Sequence, residues 1–257
     1  MLSTARIKRK IADAACHSTI GSLLSYAFAN RIRSNGIVID TSHPLIVPGV
    51  KAQLFWGLYE RSEVRFVRQY LRTDLDVIEL GSSLGLISCL IRSMLPASHK
   101  LICVEAHPQL IDVIESNLRN NSLANNVSVL NKAIYYEHVN RLDVSVSSAS
   151  DTLGGQAVTP EKGNHLRVKT TRLSGIVEEN SIGEFCLVSD IEGAEAGLIL
   201  EEPGALRNCR QIIIELHDTI FKGHAIRVEE LKDTLVARHG FRLRDQHGPV
   251  CVFEQEI

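Results

Sequence analysis

Residues 76–105 read DVIELGSSLGLISCLIRSMLPASHKLICVE, and the order of their parts decides the fold. An apolar run ends in Glu79, a tight turn (Gly81-Ser82-Ser83-Leu84-Gly85) opens directly into an amphipathic helix, and a second apolar run closes on Glu105. Strand, glycine turn, helix, strand and acid make a β-α-β unit. Such a unit turns backbone amides and a helix N-terminus toward a negatively charged or carboxylate-bearing group, and sets the later acid where it takes two ribose hydroxyls. The ligand this implies is a nucleoside-containing cofactor.

Outward from that unit, strands and helices alternate. Upstream, Gly36–Val47 reads as two short strands around a polar turn, Phe55–Glu60 as a loop, and Glu63–Leu71 as a helix with Val64, Phe66, Val67 and Tyr70 on one side. Downstream, Pro108 opens a helix that reaches about Arg119 and stops at Asn120-Asn121. Val127–Asn131, Arg141–Val146, Leu166–Leu173, Phe185–Asp190 and Gln211–Leu216 read as strands, Val228–Arg238 as a helix, and Phe241–Gln255 as a hairpin turning at His247-Gly248. This alternation predicts an α/β domain, a largely parallel sheet covered by helices with an antiparallel pair at its end. The Ser-, Gly- and Pro-rich stretch at 147–165 reads as a lid-like insert and is the candidate for acceptor recognition.

A length of 257 residues suits one such domain, 36–257, with a helical N-terminal extension at 1–35. A formal charge of -2 gives no global basic field, so nucleic acid is not an expected partner. The six cysteines are widely spaced without a CxxC pair, which argues against a zinc site or a disulfide frame and fits a cytoplasmic protein. At the N-terminus, RIKRK (Arg6–Lys10) precedes a semi-apolar stretch in the manner of a signal peptide, but Asp13, His17 and three serines (Ser18, Ser22 and Ser25) interrupt it. Ile7, Ile11, Ala14, Leu24 and Phe28 instead form a helical stripe that packs on the domain or a partner, a peripheral membrane contact being the alternative. No stretch is long and clean enough to span a bilayer.

The turn discriminates between cofactors. A pyrophosphate needs G-x-G-x-x-G, whereas here Ser83 stands two residues after Gly81 and the spacing is G-x-x-x-G. S-adenosylmethionine asks only for one turn that admits the methionine moiety and an acid for the ribose. The motifs ELGSSLG (Glu79–Gly85), VEAHP (Val104–Pro108), Asn117, SDIEGAE (Ser189–Glu195) and IIIELH (Ile212–His217), with GLYE upstream, stand in the order of the FkbM-type S-adenosylmethionine-dependent methyltransferases, which the chain resembles over about 36–257. That resemblance implies a class I methyltransferase (Rossmann-like) fold and O-methylation of a sugar or other small-molecule hydroxyl. The candidate cofactor-binding positions are Glu60, Glu79, Gly81, Ser82, Gly85, Glu105, Ala106 and Asn131, with a helix start the alternative for Glu60 and a turn role the alternative for Asn131. The chain departs from the family where Ser82-Ser83 replaces Ala-Asn and Ser189 replaces Lys.

Methyl transfer to a hydroxyl is an in-line displacement that needs positioning and a proton acceptor. The strands ending at Asp190 and His217 are expected to be neighbours, converging Asp190, Glu192, Glu215 and His217 on the methyl group. His217, with the ordinary pKa best suited to neutral pH, is the expected base, oriented by Asp190 or Glu192. A divalent cation on Asp190, Glu192 and His217 is the alternative, but no close spacing in the sequence demands a metal. A nicotinamide-dependent oxidoreductase and a catalytically silent binding module are the rival classes.

Overall fold

A computed structural model of the chain describes residues 16–136, 141–146 and 164–255. It opens with α1 (Ser18–Ala27), the hairpin β1 (Arg31–Ser34) and β2 (Ile37–Asp40), α2 (Pro48–Trp56) and α3 (Arg61–Tyr70). The β-α-β unit is β3 (Asp76–Leu80), α4 (Leu86–Met94) and β4 (Leu101–Glu105). Then come α5 (Pro108–Asn120), β5 (Val127–Asn131), β6 (Ala133–Ile134), β7 (Arg141–Val146), β8 (Asn164–Thr171) and α6 (Leu173–Glu179). β9 (Phe185–Ser189), α7 (Glu195–Glu201), α8 (Pro203–Leu206), β10 (Cys209–Glu215), the hairpin β11 (Thr219–Phe221) and β12 (His224–Ile226), α9 (Val228–Ala237), β13 (Phe241–His247) and β14 (Val250–Gln255) complete it.

The central sheet has seven strands in the order β13-β14-β10-β9-β3-β4-β5. The five from β10 to β5 are parallel and β14 runs against β10, so the terminal hairpin closes one edge, as the sequence predicts. Strand order reverses at β3, with β9 on one side and β4 on the other, and this is the switch point where a doubly wound sheet leaves a crevice beyond its carboxyl ends. Residues buried on both faces make the central strands continuous apolar runs; every residue of β9 and β4 is buried. One face packs Val77, Cys186, Val188 and Ile213 against α3, α4 and α5, and the other packs Ile78, Leu80, Leu187 and Ile214 against α6, α7 and α9. By the two-residue period of a strand, Glu79, Asp190 and Glu215 continue the first face. Burial pushes the thiols of Cys89 and Cys186 up to about 12, in keeping with cysteines that serve as small hydrophobes.

Several expected boundaries move. The upstream hairpin lies at 31–40 and crosses the proposed 35/36 boundary, because Asn35 and Gly36 both adopt positive φ and make the turn. It is tied to the main domain, Asp40 N–H donating to Asn117 Oδ1 and Val38 N–H to Asn121 Oδ1. Leu45–Val47 is not a strand but leads into α2, with Pro48 in its first turn and Gly57, at φ 63°, ending it. Helix α6 and the β11–β12 hairpin also escape the sequence reading. β8 starts at Asn164, within the proposed lid; residues 147–163 lie outside the described residues, as do 1–15 of the N-terminal extension. Among the described residues, no helix is long and apolar enough to cross a membrane.

Candidate functional site

The turn after β3 is built by close backbone approach. Gly81 has φ 85°, and a Cβ there would lie 1.8 Å from the carbonyl oxygen of Asp190, which follows β9. Gly81 N–H donates to Val104 O and Asp190 N–H to Leu80 O, each at 2.9 Å, so the ends of β4, β3 and β9 are pinned together. Ser83 carries φ 48°, a left-handed conformation that suits the Asn of the related pattern better than Ser. It is held by its N–H to Glu105 Oε2 at 2.8 Å and by a 2.8 Å hydrogen bond between its hydroxyl and that of Tyr59. Gly85, at φ 77°, caps α4 and sits against Ile114 of α5. Ser82 and Ser88 donate their hydroxyls to Glu79 Oε2, so this carboxylate orders the loop, while its Oε1 is buried without a partner.

Glu105 closes the other side. Its Oε1 accepts from His107 N–H at 2.7 Å and its Oε2 from Ser83 N–H. Burial outweighs these bonds and pushes its pKa up to about 7. Each oxygen keeps a lone pair for a further donor. Ala106 lies at this edge, partly buried, and Asn131 spends its amide N–H donors on the carbonyls of Glu105 and Ala106. His107 is buried and caps α5 through Nδ1.

Across the switch point the second cluster forms. Glu192 has φ 52° and Gly193 φ 104°, a strained turn fixed by Glu195, whose buried carboxylate accepts from Ile191 N–H at 3.1 Å and Gly193 N–H at 2.8 Å. His217 lies amid carboxylates: Nδ1 is 3.3 Å from Glu195 Oε1, and Nε2 is 3.6 Å from Glu215 and 3.8 Å from Glu192. The contacts to Glu195 and Glu215 push its pKa up to about 11. The four residues expected to converge do converge, but His217 corrects the expectation of a neutral base. Both ring nitrogens face carboxylates, a setting that favours the protonated ring over the neutral one. Asp190 is pushed up to about 7, chiefly by burial and then by Glu215 and Glu192.

Glu60, at φ 48°, precedes α3 and faces the same crevice, and Glu63 follows one helical turn later, 6% exposed. Burial, then neighbouring carboxylates, raises Glu63 well above the usual range; Glu60 is raised likewise, partly offset by its bond to Tyr59. Sequence reading missed Glu63 and gave Glu195 no role. For Glu195, the i−4 and i−2 relation to Ile191 and Gly193 was the available signal. Glu63 offered only a carboxylate on the apolar side of an amphipathic helix, beside Val64 and Val67.

Among solved structures, the chain resembles the ribosomal protein L11 methylase of Lactobacillus delbrueckii subsp. bulgaricus at 10% identity, covering 78% of this chain and 80% of that one, TM-score 0.46. It resembles precorrin-6y C5,15-methyltransferase of Geobacter metallireducens GS-15 at 13% identity, covering 76% and 85%, TM-score 0.42. An uncharacterized protein of Listeria monocytogenes serotype 4b is 11% identical with TM-score 0.43, over 75% of this chain and 66% of that one's length. No curated protein matches the chain. The methyltransferase FkbM domain model matches residues 88–243, from inside α4 to β13. That match takes in more than half of the chain, with β4, Asn117, SDIEGAE and IIIELH in their order, so the chain belongs to the FkbM methyltransferase family.

Proposed function

We propose that the protein is an S-adenosylmethionine-dependent methyltransferase acting on a hydroxyl oxygen of a sugar or another small-molecule acceptor. The observation that carries this reading is the pairing, across one switch point, of a turn clamped by Glu105 with the cluster Asp190, Glu192 and His217. The residues fit the cofactor: Gly81 and Gly85 put no side chain at their two positions of the turn, and Glu105 retains acceptor capacity for two ribose hydroxyls. When bound, the cofactor supplies a methyl group on a sulfonium, open to in-line attack. Glu192 is the group we assign to accept the hydroxyl proton: its side chain is partly exposed, beside His217, on a backbone that Glu195 fixes. His217 acts as a positioning cation between Glu192 and Glu195.

The test is transfer of labelled methyl from S-adenosylmethionine to a panel of small hydroxyl acceptors, with calorimetry of cofactor binding. Binding of S-adenosylmethionine and label on an acceptor oxygen are expected. Binding of a nicotinamide dinucleotide in its place, or label only on nitrogen, would overturn the assignment.

A further inference from the structure

On the face of the sheet that packs α3, carboxylates crowd together beside a single imidazole. Glu63, Asp190 and Glu215 each bring one oxygen to within 4.8 Å of the others'. Among the described residues no lysine or arginine forms an ion pair with any of them; the imidazole of His217 lies 3.6 Å from Glu215 and within 4.8 Å of Asp190. Next to them lies a cavity of about 10 Å³ lined by Glu60, Glu63, Glu79, Gly81, Ser189 and Asp190. That is room for one particle the size of a water.

Two further observations point to a guest. Glu79, one of the residues that line this cavity, is 2% exposed, and its Oε1 has no hydrogen-bond partner. Asp190 Oδ1 is likewise shielded from solvent without a partner. Buried carboxylate oxygens are otherwise satisfied, and like charges this close repel unless protons or a cation intervene. The ligand atoms are all oxygens, the set that hard divalent cations take. The overlapping trio Asp190, Glu192 and His217 is a poorer candidate, because both nitrogens of His217 already face carboxylates.

We propose that Glu63, Asp190 and Glu215 form a binding site for one divalent metal ion of the magnesium or manganese class, with Glu79 among the residues that line the adjoining cavity. The site lies beside the cofactor turn and uses Glu63, a residue to which the methyltransferase reading gives no part. It stands or falls independently of that reading, since the metal is tested without cofactor.

The experiment titrates Mn²⁺ into the metal-stripped, cofactor-free full chain, with free Mn²⁺ read by electron paramagnetic resonance and melting temperature followed in parallel. One saturable site and a rise in melting temperature are expected, with Mg²⁺ competing. Glu63→Gln and Glu215→Gln should each weaken binding by about tenfold or more and remove the thermal rise, whereas Glu105→Gln should leave binding intact. Without metal, Glu63→Gln should melt at or above the wild type, because it removes one ionisable group from a crowd of buried carboxyls; that controls for misfolding. Absence of a saturable site, or binding that survives both substitutions, overturns the proposal.

Discussion

The carbonyl oxygen of Asp190 lies 1.8 Å from the point a Cβ would occupy on Gly81. The turn that opens α4 and the strand end that carries Asp190 are therefore in backbone contact, and no side chain fits between them. Gly81→Ala meets that contact and a φ of 85° together. It is expected to cost at least about 3 kcal/mol in chemical denaturation, and to abolish cofactor binding. Gly85→Ala faces a looser neighbour, Ile114 Cα at 3.2 Å, and should cost roughly 1–2 kcal/mol, the left-handed penalty with little added clash. Equal losses at the two positions would remove the contact as the reason.

Glu105 makes stability and cofactor binding depend on pH in opposite senses. Its folded pKa, about 7, is raised above the unfolded carboxyl value, so its contribution to stability is full below about pH 4 and is lost as pH rises through about 7. The loss amounts to roughly 3 kcal/mol, read as the difference between wild type and Glu105→Gln in denaturation at pH 4.5 and pH 8. Ribose hydroxyls donate best to the ionised form, so S-adenosylmethionine affinity should instead rise between pH 6 and 8 and flatten in Glu105→Gln. An affinity that falls over this range would contradict the assignment of Glu105 to the ribose.

The fold was legible because its signals are local. The G-x-x-x-G turn, the acid ending each of β3 and β4, and the apolar runs of β9 and β10 are sequence-adjacent patterns, and they place the switch point correctly. Helix α2 was hidden because its apolar residues do not keep one face, and α6 because Leu173 and Ile176 alone mark its buried side. The site was legible only as a set of residues. That His217 is a cation depends on Glu192, Glu195 and Glu215 all reaching one ring, and Glu63 joins Asp190 only through the packing of α3 on the sheet; neither relation has a spacing in the chain.

Asn117, fully buried in α5, links three parts of the molecule. Its Oδ1 accepts from Asp40 N–H of β2 at 2.8 Å, and its Nδ2 donates to Leu84 O in the cofactor turn at 2.9 Å. Asn117→Ala leaves both backbone groups without partners and should cost about 2–4 kcal/mol. Asn117→Asp keeps the acceptor but sets a carboxylate against the Leu84 carbonyl, so it should weaken cofactor binding more than its effect on the hairpin implies. Hydrogen exchange at Asp40 separates the two: faster exchange is expected in the alanine variant and protection in the aspartate variant.

Glu195 is the residue on which the chemistry at Glu192 depends. It is fully buried, accepts from the N–H groups of Ile191 and Gly193, and faces His217 Nδ1, so one carboxylate sets both the strained turn and the imidazole. Glu195→Gln replaces one acceptor oxygen with a donor that opposes a backbone N–H, and removes the anion nearest His217. The turn that aims Glu192 should shift while the Glu105 clamp stays intact. Turnover is then expected to fall by about a hundredfold with cofactor affinity changed less than about threefold, and Glu192→Gln should show the same split. In metal-free protein, the His217 ring should carry protons on both nitrogens at pH 8 by nitrogen chemical shift, and lose one in Glu195→Gln. A singly protonated ring in the wild type would return the role of base to His217.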